Sequence, residues 1–271
     1  MFSPKGELMG VIVAIVNNKG GVGKTTLTVN LAHALANRGK KILIVDNDAQ
    51  CNASSLLVDA DVVSDSVYEL YESDDTPLER CVYPTAYDGL SIIPNSEETA
   101  ALEINLNLGI PTSYLRLRDR LRDYAKSNFD FTFIDTPPNW GYFVLAALHA
   151  ADCVIVPILC SSRFSMEGLT RALSLIEGVR QRENPDLRLL RLIVNNVDKR
   201  TAISRVVTDK LRRLFEDDVL FKTSIPTNTQ FSQAEMEGKS IIRFSPRSVG
   251  AKYYRSLATE FLEIFEPGVA Q

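Results

Sequence analysis

The chain has 271 residues, 45% of them hydrophobic and 24% charged, with a formal net charge of −4. That length fits one large domain or two small ones with a sizeable buried core, and the composition excludes a disordered chain. The net acidity argues against a uniformly basic nucleic-acid binder, but the charge is uneven. Residues 171–271 hold 17 Lys and Arg against 13 Asp and Glu, while the first 170 hold 13 against 21, which points to a basic working face in the C-terminal part.

In chain order, "VIVAIV" (11–16), "KILIVD" (41–46), "LSIIP" (90–94), "FTFID" (131–135), "CVIVPIL" (153–159), "LRLLRLIVNN" (187–196) and the shorter "VLFKTSIP" (219–226) read as strands. Between them, helical periodicity marks 24–38, 97–107, 112–126, 141–150, 164–182, 201–215, 229–237 and 247–265. Continuous apolar strands alternating with helices predict a parallel sheet covered on both faces. The fold class expected is therefore α/β, doubly wound, over a single domain spanning 1–271. Residues 58–88 are the least regular and are expected to be an insertion over one sheet edge. No apolar run reaches the roughly 18 residues needed to span a bilayer, and "LMGVIVAIV" lacks the flanks of a signal peptide. Cys51, Cys81, Cys153 and Cys160 include no C-x-x-C pair, so a metal or disulfide framework is not expected and a reducing cytoplasm fits.

"VNNKGGVGKTTLTVN" (16–30) lies between the first strand and the first helix. Gly20, Gly21 and Gly23 would let the backbone amides of the loop, Val22 included, converge on phosphate oxygens, beside the positive end of the helix dipole. Lys24 would reach the β- and γ-phosphates and Thr25 would place its hydroxyl on Mg²⁺. Thr26 is expected at the α-phosphate. The general pattern G-x-x-x-x-G-K-[ST] would put glycine at 18, where this chain has Asn18, so the loop is a variant, "KGGVGKT". Asp46 and Asp48 end the second strand and Asp135 ends the strand at 131–135, all at the carboxyl edge where doubly wound sheets bind ligands.

The loop "KGGVGKTT", followed by "ILIVDNDAQCNAS", "FDFTFIDTPPNWG", "VPILCSSRFSMEGL" and "IPTNTQFSQAEMEGKSIIRFSPRSVGAKYY", resembles the ParA/MinD superfamily of ATPases with a deviant Walker A motif, and within it the ParA/Soj branch. The resemblance runs from about residue 10 to 265. It implies a weak, partner-stimulated ATPase with ATP and Mg²⁺ as cofactors. It implies that Lys19 is the signature lysine reaching the partner's phosphates in a nucleotide-sandwich homodimer, a cation in trans at the charge that hydrolysis develops. It also implies that Asp48 positions the attacking water, that Asp46 lies near the metal shell and that Asp135 holds Mg²⁺. Asn195, Asn228 and Pro226 are the implied adenine contacts.

The family binds double-stranded DNA without sequence preference and works with a ParB-like adaptor. Here the implied DNA contacts are Lys199, Arg200, Arg243, Arg247 and Lys252, with Arg205 and Arg255 as further candidates. The family block that usually reads I-P-R-N-V-R/K is "IPTNTQ" in this chain, so Thr227 and Gln230 stand where basic residues are common. About ten residues precede the first strand, so an N-terminal helix-turn-helix domain is not expected. The last helix ends in Glu260, Glu263 and Glu266, unlike a basic membrane-targeting helix. The implied function is segregation of plasmid, chromosome or mobile-element DNA, in the cytoplasm on the nucleoid. Alternatives are positioning of a protein cargo by the same engine, or a nucleotide-dependent switch with little hydrolysis.

Overall fold

The computed structural model describes residues 9–102, 113–160, 165–198, 200–215 and 218–265. β1 (Val11–Ile15) leads through a glycine-rich loop into α1 (Lys24–Ala36), then β2 (Ile42–Asp46) and a short α2 (Asn52–Leu57). After α3 (Val67–Glu72) come β3 (Tyr83–Pro84), β4 (Leu90–Ile93), α4 (Arg116–Asn128), β5 (Phe131–Asp135), α5 (Tyr142–Ala150) and β6 (Cys153–Leu159). The chain finishes with α6 (Ser165–Arg182), β7 (Arg188–Asn195), α7 (Ala202–Leu214), α8 (Thr229–Met236), α9 (Ile241–Phe244) and α10 (Val249–Phe265). The seven strands form one sheet in the order β3-β4-β2-β5-β1-β6-β7. All pairings are parallel except the antiparallel β3 edge. This is the doubly wound α/β fold expected from the sequence.

Period-two alternation on strands buried on both faces divides the core in two. Ile12, Ala14, Leu43, Val45 and Ile134 face one cluster, with α3 to α7. Val13, Ile15, Ile42, Ile44, Phe131 and Phe133 face the other, under α1, α2 and α8 to α10. In that second layer Phe261 of α10 packs edge-on against Phe131, with ring centroids 5.0 Å apart, and 5.7 Å from Phe133. α10 thus covers β5, whose last residue is Asp135.

Two details depart from the sequence reading. Residues 219–226 do not form a strand; they run beside β7 through the isolated bridges Leu192–Leu220 and Val197–Pro226. The segment 58–88, the expected edge insertion, supplies core residues, with Val67, Leu70 and Tyr71 buried and Tyr83–Pro84 closing the sheet edge beside β4. Its capping box at Ser66, completed by Glu69, starts α3, a signal the sequence did carry. Of the candidate helix 97–107, residues 99–102 are helical and 103–107 lie outside the described residues. Among the described residues no helix is long and apolar enough to cross a membrane.

His33 joins α1 to the C-terminal helices. Its Nδ1 lies 2.6 Å from Ser240 Oγ, and its ring stacks on Tyr87 at 4.0 Å. Tyr87 in turn accepts the Ser240 N–H at 3.0 Å. Burial, then the charges of Arg243 and Arg255, lower the imidazole pKa to about 4. A pKa below the unfolded value near 6.5 means that the neutral ring favours folding at neutral pH, and that this contribution is lost as pH falls from about 6.5 through 4. Urea unfolding across that range is expected to show a steeper loss of stability for the wild-type chain than for His33→Gln; parallel profiles would exclude the imidazole as the titrating group.

Candidate active site

Strand register creates the site. Asp46 and Ile15 each pair with Asp135, so the carboxyl ends of β2, β5 and β1 finish side by side. The loop after β1 and the first turn of α1 stand above them. Together with Asp48, Gln50, Asn52, Ser55, Leu56, Pro138 and Glu235, residues Gly20 to Thr26 line an open cavity of about 390 Å³.

The loop conformation explains its glycines. Gly21 and Gly23 have φ of +71° and +82°, in the left-handed region that side chains rarely adopt. A Cβ added at Gly20 or Gly21 would meet nothing within 4 Å, so the loop opens onto free space. Gly23 caps α1 without a side-chain bond, and no acidic residue occupies the first turn. The helix's first amides are therefore uncommitted donors backed by the helix dipole, an anion-binding arrangement.

Lys24 is buried at the centre of the site. Burial lowers its pKa, opposed by the nearby Asp135 and Asp48 carboxylates. Burial raises Asp135 to about 7, with the neighbouring Asp46 charge adding to it and a hydrogen bond from Thr25 opposing it. Burial also raises Asp46 to about 6, against hydrogen bonds from Ser54. Asp135 Oδ2 is buried without a partner. A buried carboxylate oxygen with no donor, next to a threonine hydroxyl, fits a hard cation such as Mg²⁺. Thr25 and Asp135 are the residues that would hold it.

Asp46 has a different environment from the one expected. Its Oδ2 accepts from Ser54 N at 2.8 Å and Ser54 Oγ at 2.6 Å, and its Oδ1 from Asp48 N at 3.3 Å. Both oxygens are thus engaged by protein, and Asp46 fixes the backbone that carries Asp48. Asn47 between them donates to Phe143 O at 2.8 Å and accepts from Tyr71 Oη at 3.0 Å. Ser54 and Asn47 escaped the sequence reading because their partners are contributed by distant segments. Cys51, with φ of +53°, turns the chain from Asp48 into α2.

The expected base contacts do not line the phosphate cavity. Asn195 Nδ2 donates to Val22 O at 2.9 Å, tying β7 to the loop, and its Oδ1 is buried without a partner. Asn228 caps α8, its Oδ1 accepting from Gln230 N at 2.9 Å. Pro226 bridges Val197. Lys19 is half-buried and donates its backbone N–H to Asn17 Oδ1 at 3.0 Å, but does not line its own chain's cavity.

The basic candidates are dispersed. Arg200 stands on the turn before α7, 90% exposed, paired with Asp198 at 2.9 Å. Arg243 lies on α9, Arg247 just after it, and Lys252 and Arg255 on α10, all exposed. Lys199 lies outside the described residues. Arg205, Arg212 and Lys222 converge on a second, larger groove between α7 and α10, with Thr208, Thr223 and Tyr253. Arg212 and Lys222 were not singled out from sequence, since only the packing of α7 brings them together.

Asn195→Ala should loosen the loop by leaving the Val22 carbonyl buried and unpaired. A stability loss of about 1–3 kcal/mol is expected, together with weaker ATP binding, checked by urea unfolding and nucleotide titration. Unchanged ATP affinity would mean that the loop holds its shape without this bond.

A family model described as an AAA domain matches residues 10–189. The chain is 38% identical over 254 residues to the sporulation initiation inhibitor protein Soj of Bacillus subtilis, covering 93% of this chain and 98% of that protein. It is 39% identical to the chromosome-partitioning ATPase Soj of Thermus thermophilus, covering 92% and 94%. Among solved structures, cobyrinic acid a,c-diamide synthase from Mycobacterium smegmatis with bound ADP and magnesium superposes with a TM-score of 0.80 at 30% identity, covering 97% and 98%. With a deviant phosphate loop, three strand-end carboxylates and 38–39% identity to these relatives over more than nine-tenths of its length, the chain belongs to the ParA/Soj family of P-loop ATPases.

Proposed function

We propose that this chain is a DNA-partition ATPase that closes into an ATP-sandwich homodimer and, so closed, grips double-stranded DNA without regard to sequence. The observation that carries the dimer is Lys19. A second lysine at a phosphate loop would be expected to serve its own nucleotide, but this one lies outside its own chain's cavity. A face-to-face partner gives it phosphates to neutralise. Assembly and hydrolysis would then both require bound ATP.

In this reading the amides of Gly20, Gly21, Val22 and Gly23, with Lys24 and Thr26, hold the triphosphate. Thr25 and Asp135 hold Mg²⁺, which neutralises charge on the β- and γ-phosphates. Asp48 aligns the water that attacks the γ-phosphorus, giving ADP and phosphate, and Asp46 keeps Asp48 in place. Asn195 offers its unpaired Oδ1 to the adenine amino group, with Pro226 and Asn228 at the base. The partition role rests on the relatives named for it, among them the Soj proteins above and a chromosome partitioning protein ParA from Myxococcus xanthus, 35% identical. A ParB-like adaptor would stimulate hydrolysis and so release DNA. The protein would act in the cytoplasm, on the nucleoid rather than a membrane.

Basic residues on the C-terminal half would form the DNA face. The groove of Arg205, Arg212 and Lys222 supports this reading, since it gathers three cations around one carboxylate, Asp209, among hydroxyls. It compensates for Thr227 and Gln230, which carry no charge. Such contacts would reach phosphates, not base edges.

Binding to a non-specific duplex should be measured with ATP, ADP and no nucleotide across a salt series. ATP-dependent binding that falls steeply with salt, by about 0.9 in slope per phosphate contacted, is expected. Lys19→Gln should abolish it while leaving ATP binding intact. Arg205→Ala and Arg212→Ala should each lower the slope by about one. ATP-dependent dimers that ignore DNA would overturn the DNA reading and favour a protein cargo; DNA binding unaffected by nucleotide or by Lys19→Gln would overturn the sandwich.

A further inference from the structure

Two carboxylates line the phosphate cavity, Asp48 and Glu235; the remaining lining is backbone amide, Lys24, hydroxyl and neutral side chain. A carboxylate in an anion cavity repels a phosphate, so each needs a partner of another kind. Asp48 has one on the strand-end side, where a water would stand. Glu235 lies elsewhere, in the last turn of α8, where its Oε1 accepts a hydrogen bond from Thr26 Oγ1 at 2.6 Å.

Thr26 sits in the first turn of α1, two residues after Lys24. With the terminal phosphates at Lys24, the α-phosphate lies beside Thr26; this step rests on the reading of the site given above. The next group outward is the sugar. A ribose offers two hydroxyl donors and no charge, the chemistry that a carboxylate accepts from. Acidic side chains on ribose hydroxyls are a recurring solution in nucleotide-binding α/β proteins.

We propose that Glu235 is the sugar-specificity residue of this chain, its carboxylate passing from the Thr26 hydroxyl to the ribose 2′- and 3′-hydroxyls when a nucleotide takes Thr26. The helix that carries it is firmly placed. Asn228 caps its start, Ala234 is buried, and Phe231 packs edge-on to Tyr254 at 5.8 Å. Glu235 itself is exposed, so only its side chain need turn. A free hydroxyl-accepting carboxylate at this point would select ribonucleotides over deoxyribonucleotides.

Equilibrium binding of ATP, 2′-deoxy-ATP and 3′-deoxy-ATP, each with magnesium, tests this on the whole chain, on Glu235→Ala and on Glu235→Gln. The exposed position leaves the core of the variants intact, and Thr26→Ala serves as the control for the α-phosphate. The wild type is expected to prefer ATP over 2′-deoxy-ATP by about tenfold, the effect of one charge-assisted hydrogen bond. Glu235→Ala should erase that ratio by weakening ATP more than 2′-deoxy-ATP, which keeps only the 3′-hydroxyl contact to lose, with Glu235→Gln between. ATP binding that Thr26→Ala weakens, without any sugar preference in the wild type, overturns the proposal and leaves the phosphate site standing. So does a preference that survives in Glu235→Ala, or a variant that binds all three nucleotides more tightly, which would make Glu235 a repulsive gate. A wild-type chain that binds none of the three would overturn the site reading itself, and the inference with it.

Discussion

Four charged side chains, Lys24, Asp46, Asp48 and Asp135, are withdrawn from water at the carboxyl ends of adjacent strands. Charge in so dry a place is costly unless it is paired or neutralised. The fold handles each one differently. Asp46 receives three protein donors and becomes a strut for the loop of Asp48. Lys24 sits within the field of Asp48 and Asp135. Asp135 keeps one oxygen bare, an arrangement stable only if a proton or a cation attends it.

The surrounding structure holds this charge cluster in place. Asn47 is bonded to Phe143 and Tyr71, so two helices on one face of the sheet set the backbone between Asp46 and Asp48. Asn195 ties β7 to the phosphate loop from the other side. Strained backbone concentrates here as well. The two non-glycine residues with positive φ among the described residues are Cys51 and Asn196; one follows Asp48 and the other follows Asn195. Such conformations persist only where neighbouring contacts impose them.

The sequence disclosed the parts of this site that depend on local order. The strand–glycine loop–helix run gave Lys24 and Thr25, and strand-end carboxylates gave Asp46, Asp48 and Asp135, because strand and helix periods are local signals. Contacts between distant segments were not legible. Ser54 under Asp46, Asn47 on Tyr71 and Glu235 on Thr26 span 8, 24 and 209 residues. No periodicity encodes such separations. Residues 219–226 read as a strand from their short apolar run, yet their pairing with β7 is broken into isolated bridges. Asn228, an expected base contact, also caps α8, a common use of asparagine at such a junction that local periodicity does not reveal. The groove of Arg205, Arg212 and Lys222 depends on two helices and the connecting chain meeting in space, and the tally of charge along the chain foreshadowed its sign but not its place.

The packing of α10 on β5 bears on how the protein emerges from the ribosome. Phe131 and Phe133 belong to the strand that delivers Asp135, but their aromatic cover, Phe261, is made some 130 residues later, roughly six to twenty-six seconds at ordinary elongation rates. During that interval a nascent chain can form the phosphate loop, the early strands and the α1 and α2 cover of this face, while Phe131 and Phe133 still lack their α10 cover. The nucleotide site is therefore completed near the end of synthesis, and the half-made protein carries an uncovered aromatic patch on β5 that chaperones would be expected to shield.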